Sequence, residues 1–458
     1  MPVTTPPTTR QRTRRRPGRG HVSAYAGTTT ATRAAHPSPE PPSPSTDPGD
    51  RTAPAATTTE VPTVTTARFS TPTTGPARVL HQIRTVPGIT RSRLHDDLQL
   101  SQPTVTRHVS ALIDAGLVEQ ASPDPSAAAI GRPGSTLLPD GREITALGGH
   151  VGLRSTQLIA VDGVGRPLRS RTLRLPLPAL EPDEALEAVH HGLATLGRGL
   201  SRPVGLGVAF SAHVGSNGRV TSEAYGWDNV DVAGRLAAAR TALPGVPVAL
   251  ATGVGAMAGA ELSSTTLTPG GPEATGTARS TLYVYARELV AHAWIVGDAV
   301  HQPFTGSSPT AFTTLAESGS FSTSRDGIGH PLGTTAVLNA ARERGLEASG
   351  LHELVSLAEH NAIARDLLDE RAELLGQMIS LAVDVVDPAS VVFAGEAFTA
   401  DPRAVKIIAS ALNGEGQDNA NTPRRRLSIQ RAGDGILARA ASVTALHQLW
   451  SDPIATLG

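Results

Sequence analysis

Along the chain the apolar positions change period in order, helical first, then short buried runs alternating with helices. Val79, Leu80 and Ile83 share one face of a segment starting at Arg78, which predicts a first helix. Thr90 can cap a second helix that runs to Leu98, with Leu94 and Leu98 inward. After a short turn at Gln99-Leu100, Val105, Val109, Leu112 and Ile113 recur at i, i+4, i+7 and i+8, one stripe of a third helix. Ser101 is a good N-cap, and Pro103 is tolerated in a first turn, where the amide it lacks has no helical partner. Gly116 ends this helix, and Leu117-Val118 opens an extended segment.

From Gly148 the texture changes. Val151 to Asp162 reads as two strands of a hairpin, continued by Gly165 to Leu168 and Thr172 to Leu175. A helix from Asp183 to Leu200 turns Ala185, Val189, Leu193 and Leu196 inward. It is followed by a buried strand from Val204 to Phe210. Val230 to Leu243 predicts a helix, Pro247 to Leu250 a strand, and Val254 to Leu262 a small-residue helix that should pack closely. A loop rich in Gly, Pro and Thr spans 263–279. A second hairpin, Thr281 to Tyr285 with Ala291 to Val296, resembles the first. Helices are expected at 333–345, 350–358 and 361–385, a strand at Ser390 to Ala394, and closing helices at Ala404 to Leu412 and Ile436 to Trp450. Two halves that each start with a strand meander and continue in β/α alternation predict a duplicated α/β fold with a cleft between lobes.

Composition adds bounds. The chain has 458 residues, enough for about three units. Aromatics are 3 %, so the cores must be built from Ala, Val and Leu. The net charge of −1 makes any attraction to nucleic acid a local matter, and Lys406 is the single lysine among arginines. With no cysteine, disulfides and thiolate zinc sites are excluded. There is no apolar run long enough to span a membrane and no signal-peptide core, so a cytoplasmic location is expected. Residues 1–73 are Thr, Pro, Ser and Arg with few large apolar residues, and read as a disordered tail. Its cluster from Arg10 to Arg19 could tether DNA phosphates in a salt-dependent way, but nothing there specifies structure, and an inert tail is the simpler reading.

The candidate chemistry sits on the third helix. Opposite its apolar stripe lie Pro103, Thr104, Arg107 and Ser110, with Gln102 at the tip. Such side chains can meet base edges and phosphates in a major groove, and three short helices with this spacing suit a winged helix-turn-helix over residues 74–140. Any short amphipathic helix ending in Gly would share the periodicity, so the upstream helices carry much of the argument. The expected DNA-binding set is Arg107 first, then Gln102 and Thr104. Thr106 and Ser110 could bind phosphates, Arg91 or Arg93 could anchor the second helix, and Ser101 belongs to the set at the helix start. Gly131-Arg132-Pro133-Gly134 is either a simple turn or places Arg132 in a minor groove beside the wing. His190-His191, His292 and His301 lack metal-ligand spacing, so no metal is expected.

From about 74 to 453 the chain resembles the ROK family (repressors, open reading frames and kinases), and more closely its regulator branch. The residues that carry this are Ser101 to Val118 with Gly131-Arg132-Pro133, the hairpin Gly149 to Gly163, Gly205 to Ala209, Tyr225 to Val230, Asp387-Pro388 with Val391 to Gly395, and Ala438 to Ala445. The resemblance implies an α/β architecture: a winged helix-turn-helix ahead of a two-lobed actin/hexokinase-like domain, with lobes over 148–264 and 280–455. It also implies a homodimer or higher homo-oligomer on double-stranded DNA, with repression as the output, and leaves room for a sugar-like small-molecule effector.

The departures argue against catalysis. The family's kinases keep an Asn-Asp pair after the strand ending at Leu250. Ala251-Thr252-Gly253 stands here, without a carboxylate to take a proton. The glycine-rich phosphate turn of the second hairpin is replaced by Ala286 to Ala291, where Glu288 would repel a nucleotide phosphate. The Pro-Gly turn after Phe210 is Ser211-Ala212-His213, and the Glu-x-Gly-His segment, expected near 306–314, is missing. Gly329-His330 comes too late to replace it and reads as a solvated loop or helix-capping histidine. No cofactor is expected. An interaction scaffold is the alternative, and an active sugar kinase the least supported reading.

Overall fold

The computed structural model of the chain describes residues 64–121, 135–238, 243, 245–267, 280–303, 319–321, 329–413 and 425–458. It opens with strand β1 (Val64–Thr66), inside the segment expected to be a tail. β1 pairs in parallel with β12 (Val248–Thr252), and Ala67 and Phe69 just after it are buried. The boundary at 73 is therefore too late. The Thr-rich composition that signals disorder is also β-branched, and a sheet edge can use it as a strand.

Helices α1 (Gly75–Thr85), α2 (Arg91–Leu98) and α3 (Gln102–Asp114) form the expected trihelical unit. Strands β2 (Ile89–Thr90), β3 (Val118–Ala121) and β4 (Thr136–Pro139) make an antiparallel sheet in the order β2-β4-β3. The stripe expected on α3 is inward: Val105, Val109 and Leu112 have no exposed surface, and Ile113 is half-buried. Full burial of such side chains stabilises by roughly 1.5–3 kcal/mol each.

The first lobe begins at β5 (Thr145–Val151), which pairs with β6 (Thr156–Asp162), and β6 with β7 (Pro167–Leu173). The hairpin read as starting at Val151 thus has its first strand earlier. Gly148 and Gly149 look like a break in sequence but lie in mid-strand, fully paired with β6. α4 (Pro182–Gly197), β8 (Pro203–Phe210) and a small sheet of β9 (His213–Val214), β10 (Arg219–Ser222) and β11 (Trp227–Asp231) follow. The helix expected from Val230 is α5 (Val232–Ala238), because Val230 and Asp231 pair with β10. β12 then leads into α6 (Gly253–Leu262).

The second lobe has β13 (Ser280–Ala286), β14 (Val290–Val296) and β15 (Ala299–Val300), then α7 (Thr334–Glu343), α8 (Leu351–Leu357) and α9 (Ala362–Val386). β16 (Ser390–Ala394), α10 (Glu396–Thr399), α11 (Pro402–Asn413) and β17 (Arg426–Ile429) complete its β/α part. The duplication is explicit in the sheets. In β12-β8-β5-β6-β7 and in β17-β16-β13-β14-β15, three parallel strands are followed by an antiparallel meander.

The closing helix α12 (Ile436–Ser451), with α13 (Pro453–Leu457) after it, does not stay with the second lobe to which the sequence assigned it. It lies on the first lobe's sheet, where an added Cβ at Gly148 would come 2.5 Å from the Ala441 carbonyl oxygen and one at Gly207 2.2 Å from the Ala445 amide. Glycine is required there by backbone approach, not by a turn. The other side of α12 meets the trihelical unit: Leu446 and Leu449 share one buried cluster with Val79, Leu112, Leu117 and Val161. The Arg84 guanidinium lies over the Trp450 ring at 3.2 Å, and Trp450 Nε1 donates to the Gly163 carbonyl at 3.0 Å. Among the described residues no helix is long and apolar enough to cross a membrane.

Candidate nucleic-acid interface

Helix α3 is fixed by its ends. The Ser101 hydroxyl accepts the Thr104 amide at 3.4 Å and meets the Thr104 hydroxyl at 2.8 Å. Before it, Gln99 turns the chain in the left-handed region at φ 54°, and Arg78 Nη2 donates to the Leu98 carbonyl at the end of α2. The His95 ring bonds the Leu100 carbonyl across this turn. With α3 held on both sides, Gln102, Thr106, Arg107 and Ser110 are exposed on one surface, and Thr104 is half-buried. Among the described residues the Arg107 guanidinium has no ion-pair partner. His108, between them in sequence, is taken by the fold: its ring covers Gly75 so closely that a Cβ there would lie 2.3 Å from Nε2.

The structure separates the two arginines of α2. Arg91 Nη2 donates to the Gln120 side chain at 2.8 Å and Nη1 to the Ser135 hydroxyl at 3.2 Å, so it ties the helix start to both wing strands. Arg93 is largely exposed and pairs with Asp97 at 2.7 Å, whose other oxygen accepts from Gln82 at 2.9 Å. Arg142 braces the wing base through Glu119 and Asp140, at 3.0 and 2.9 Å. It holds the Asp140 carboxyl below the usual carboxylate range. Sequence reading missed Gln120, Ser135 and Arg142, because polar partners across a sheet follow no period. Arg132 lies outside the described residues.

Where the family's kinases carry the Asn-Asp pair, β12 ends in Ala251-Thr252 without a carboxylate, and the Thr252 hydroxyl caps α6 by accepting the Gly255 amide at 3.2 Å. Opposite, Glu288 in the β13–β14 turn faces the first lobe, pairing with Arg154 at 2.9 Å and accepting from the Thr335 hydroxyl at 2.6 Å. Arg154 also contacts Thr335 itself. His150 is buried and lines the cleft, with no hydrogen-bond partner on either ring nitrogen among the described residues, and burial pushes its pKa down to about 4. Of the two readings given for His330, a solvated loop residue or a helix-capping one, the first does not hold, because the residue is half-buried. Its Nδ1 accepts the Leu332 amide at 3.0 Å just ahead of α7, and burial lowers its pKa to about 4. The segment near 306–314 lies outside the described residues, and among those described no group of three His, Asp or Glu is placed to hold a metal.

No family model matches the chain. It is 31 % identical over 402 residues to the transcriptional regulator Rv0485 of Mycobacterium tuberculosis, and equally to the transcriptional regulator Mb0495 of Mycobacterium bovis. Each match covers 83 % of this chain and 87 % of the relative. Among solved structures, a ROK-family transcriptional regulator homologous to the E. coli MLC protein superposes with a TM-score of 0.59 at 16 % identity, over 83 % of this chain and 97 % of that one. A ROK-family glucokinase from Streptomyces griseus, in complex with glucose and AMPPNP, superposes with a TM-score of 0.51 at 15 % identity. It covers 66 % of this chain and 99 % of its own. The identity to the mycobacterial regulators places the protein in their family of transcriptional regulators, and the superpositions give it the fold of the ROK family.

Proposed function

We propose that this chain is a sequence-specific, double-stranded-DNA-binding repressor whose ROK domain is non-catalytic and serves to dimerise it and set half-site spacing. The observation that carries this is the α3 surface: Gln102, Thr106, Arg107 and Ser110 are exposed together while Val105, Val109 and Leu112 opposite are fully buried. Arg107 is the first base or phosphate contact, with Gln102 and Thr106 beside it. Thr104 and Ser101 shape the helix tip. Arg91 acts by holding the wing, and Arg93 stands at the phosphate-facing start of α2. Among the described residues of the cleft, Thr252 cannot act as a general base and Glu288 is committed to Arg154, which weighs against a kinase role.

The test is immunoprecipitation of the full-length protein from its own cells with sequencing of the bound DNA, beside Arg107→Ala. Inverted-repeat peaks that vanish in the variant, with transcripts rising when the gene is deleted, support the reading. Diffuse enrichment, or peaks unchanged by R107A, sinks it.

A further inference from the structure

We propose that the joint between the trihelical unit and the first lobe is a binding site for a small tetrahedral oxyanion of the phosphate class, anchored by Arg84 and Arg68. The joint holds a solvent-open pocket of about 40 Å³, lined by Arg68, His81, Arg84, Ser263, His447 and Trp450 among others. A water needs about 10–15 Å³ on this measure, so the space suits an ion a few times larger.

Arg84 is the reason to look here. It projects from α1 onto the face of Trp450 at 3.2 Å, and its Nε makes one long bond, 3.4 Å, to the Val164 carbonyl. Among the described residues no carboxylate lines the cavity, and none forms an ion pair with Arg84 or Arg68. Asp162 acts on Arg84 only across space, because its Oδ1 is committed to the Val164 and Arg166 amides at 3.0 and 2.8 Å. Arg365 by contrast meets Asp369 at 2.8 Å and Asp401 at 2.6 Å, whereas the buried Arg371, like Arg84, forms no ion pair among the described residues and donates to the Leu332 carbonyl. Burial and the nearby Arg439 pull the Arg84 pKa down to about 9. A half-buried guanidinium with no carboxylate in contact is costly, and a bound anion would supply a contacting charge.

The arrangement also selects the anion. One fork satisfies the two oxygens of a carboxylate. Two arginines lining one cavity from different elements, Arg84 from α1 and the exposed Arg68 from the segment after β1, suit an ion with oxygens on more than one face. His81 is held on the cavity wall by its Nε2, 2.7 Å from the Thr265 carbonyl, and His447 by its Nδ1, 3.1 Å from the Thr444 carbonyl. The site joins α1, α12, α6 and the β1 segment, so an ion here would clasp the reading unit to the lobe.

Isothermal titration of the full chain with inorganic phosphate, at ionic strength held constant with chloride, tests this without DNA, so failure of the DNA reading leaves it untouched. Saturable binding at one site is expected, weakened about tenfold or more in Arg84→Gln by loss of a charge-assisted contact. Arg68→Gln, on an exposed residue that should not disturb folding, should weaken it several-fold, and Arg107→Ala should leave it unchanged. Glycerol 3-phosphate in a parallel titration separates the sources: tighter binding than phosphate indicates an ester, weaker binding the free ion. Absence of saturable binding by both, equal binding in R84Q and R68Q, or acetate binding as tightly as phosphate would overturn the proposal.

Discussion

Arg107 and Arg91 show how two similar side chains part company. Both are arginines in the helix-turn-helix, yet Arg107 is exposed on the α3 surface while Arg91 is bonded to Gln120 and Ser135. R107A should lower operator affinity by about tenfold or more, the roughly 1–3 kcal/mol of a good base contact, with an unchanged melting temperature. Arg91→Ala should lower both affinity and melting temperature, because the wing loses its tether. Anisotropy titrations and melting curves read the two effects separately, and identical behaviour of the variants would refute the assignment. His150 sets a pH dependence. Its folded pKa of about 4 lies below the 6.5 of a free histidine, so the unfolded chain binds more protons between those values. Its contribution is full above pH 6.5 and is lost as pH falls toward 4. Urea unfolding should show a stability loss from pH 7.5 to pH 5 that is smaller in His150→Phe by on the order of 2 kcal/mol. Equal slopes in the two proteins would argue against it.

At the scale of elements, α12 decides how the lobes and the reading unit are joined. It crosses the first sheet over Gly148 and Gly207 and carries Leu446 and Trp450 to α1. Gly207→Ala would push a methyl group into backbone, with the Ala445 nitrogen 2.2 Å away and no flexible side chain to yield. A destabilisation of about 1–3 kcal/mol, the usual range for overpacking, is expected in chemical denaturation. Gly199→Ala is a poor control because of its φ of 71°, whereas Gly350, with open space around it, should tolerate alanine.

For the whole molecule, β1 ties a segment that reads as tail into the largest sheet, and Phe69 packs against Gly259 of α6. Removing residues 1–58 should therefore leave the melting temperature unchanged, whereas removing residues 1–70 should lower it by several degrees and weaken DNA binding through the loosened joint. Loss of residues 1–70 without thermal effect would mean that β1 contributes nothing to the fold.

The local elements were legible before any coordinates: α1 to α3, α4, α6, α7 to α9, β8, β16 and α12 all follow from apolar period and caps, because those signals lie within one or two turns of chain. The exposed set on α3 was legible for the same reason, since a helix with a buried stripe must present its other residues outward. What sequence could not determine are pairings between distant polar or glycine positions. Val64–Thr66 becomes a strand only because β12 offers it an edge, and Gly148 and Gly207 are explained only by a helix nearly 240 to 290 residues later in the chain. The same holds for the Arg91 tether, the Arg154–Glu288 pair and Arg84 on Trp450. Hydrophobic burial repeats with the geometry of the local element and so leaves a period in the sequence. A hydrogen bond, an ion pair or a close backbone approach needs only one partner, placed by the tertiary fold, and leaves none.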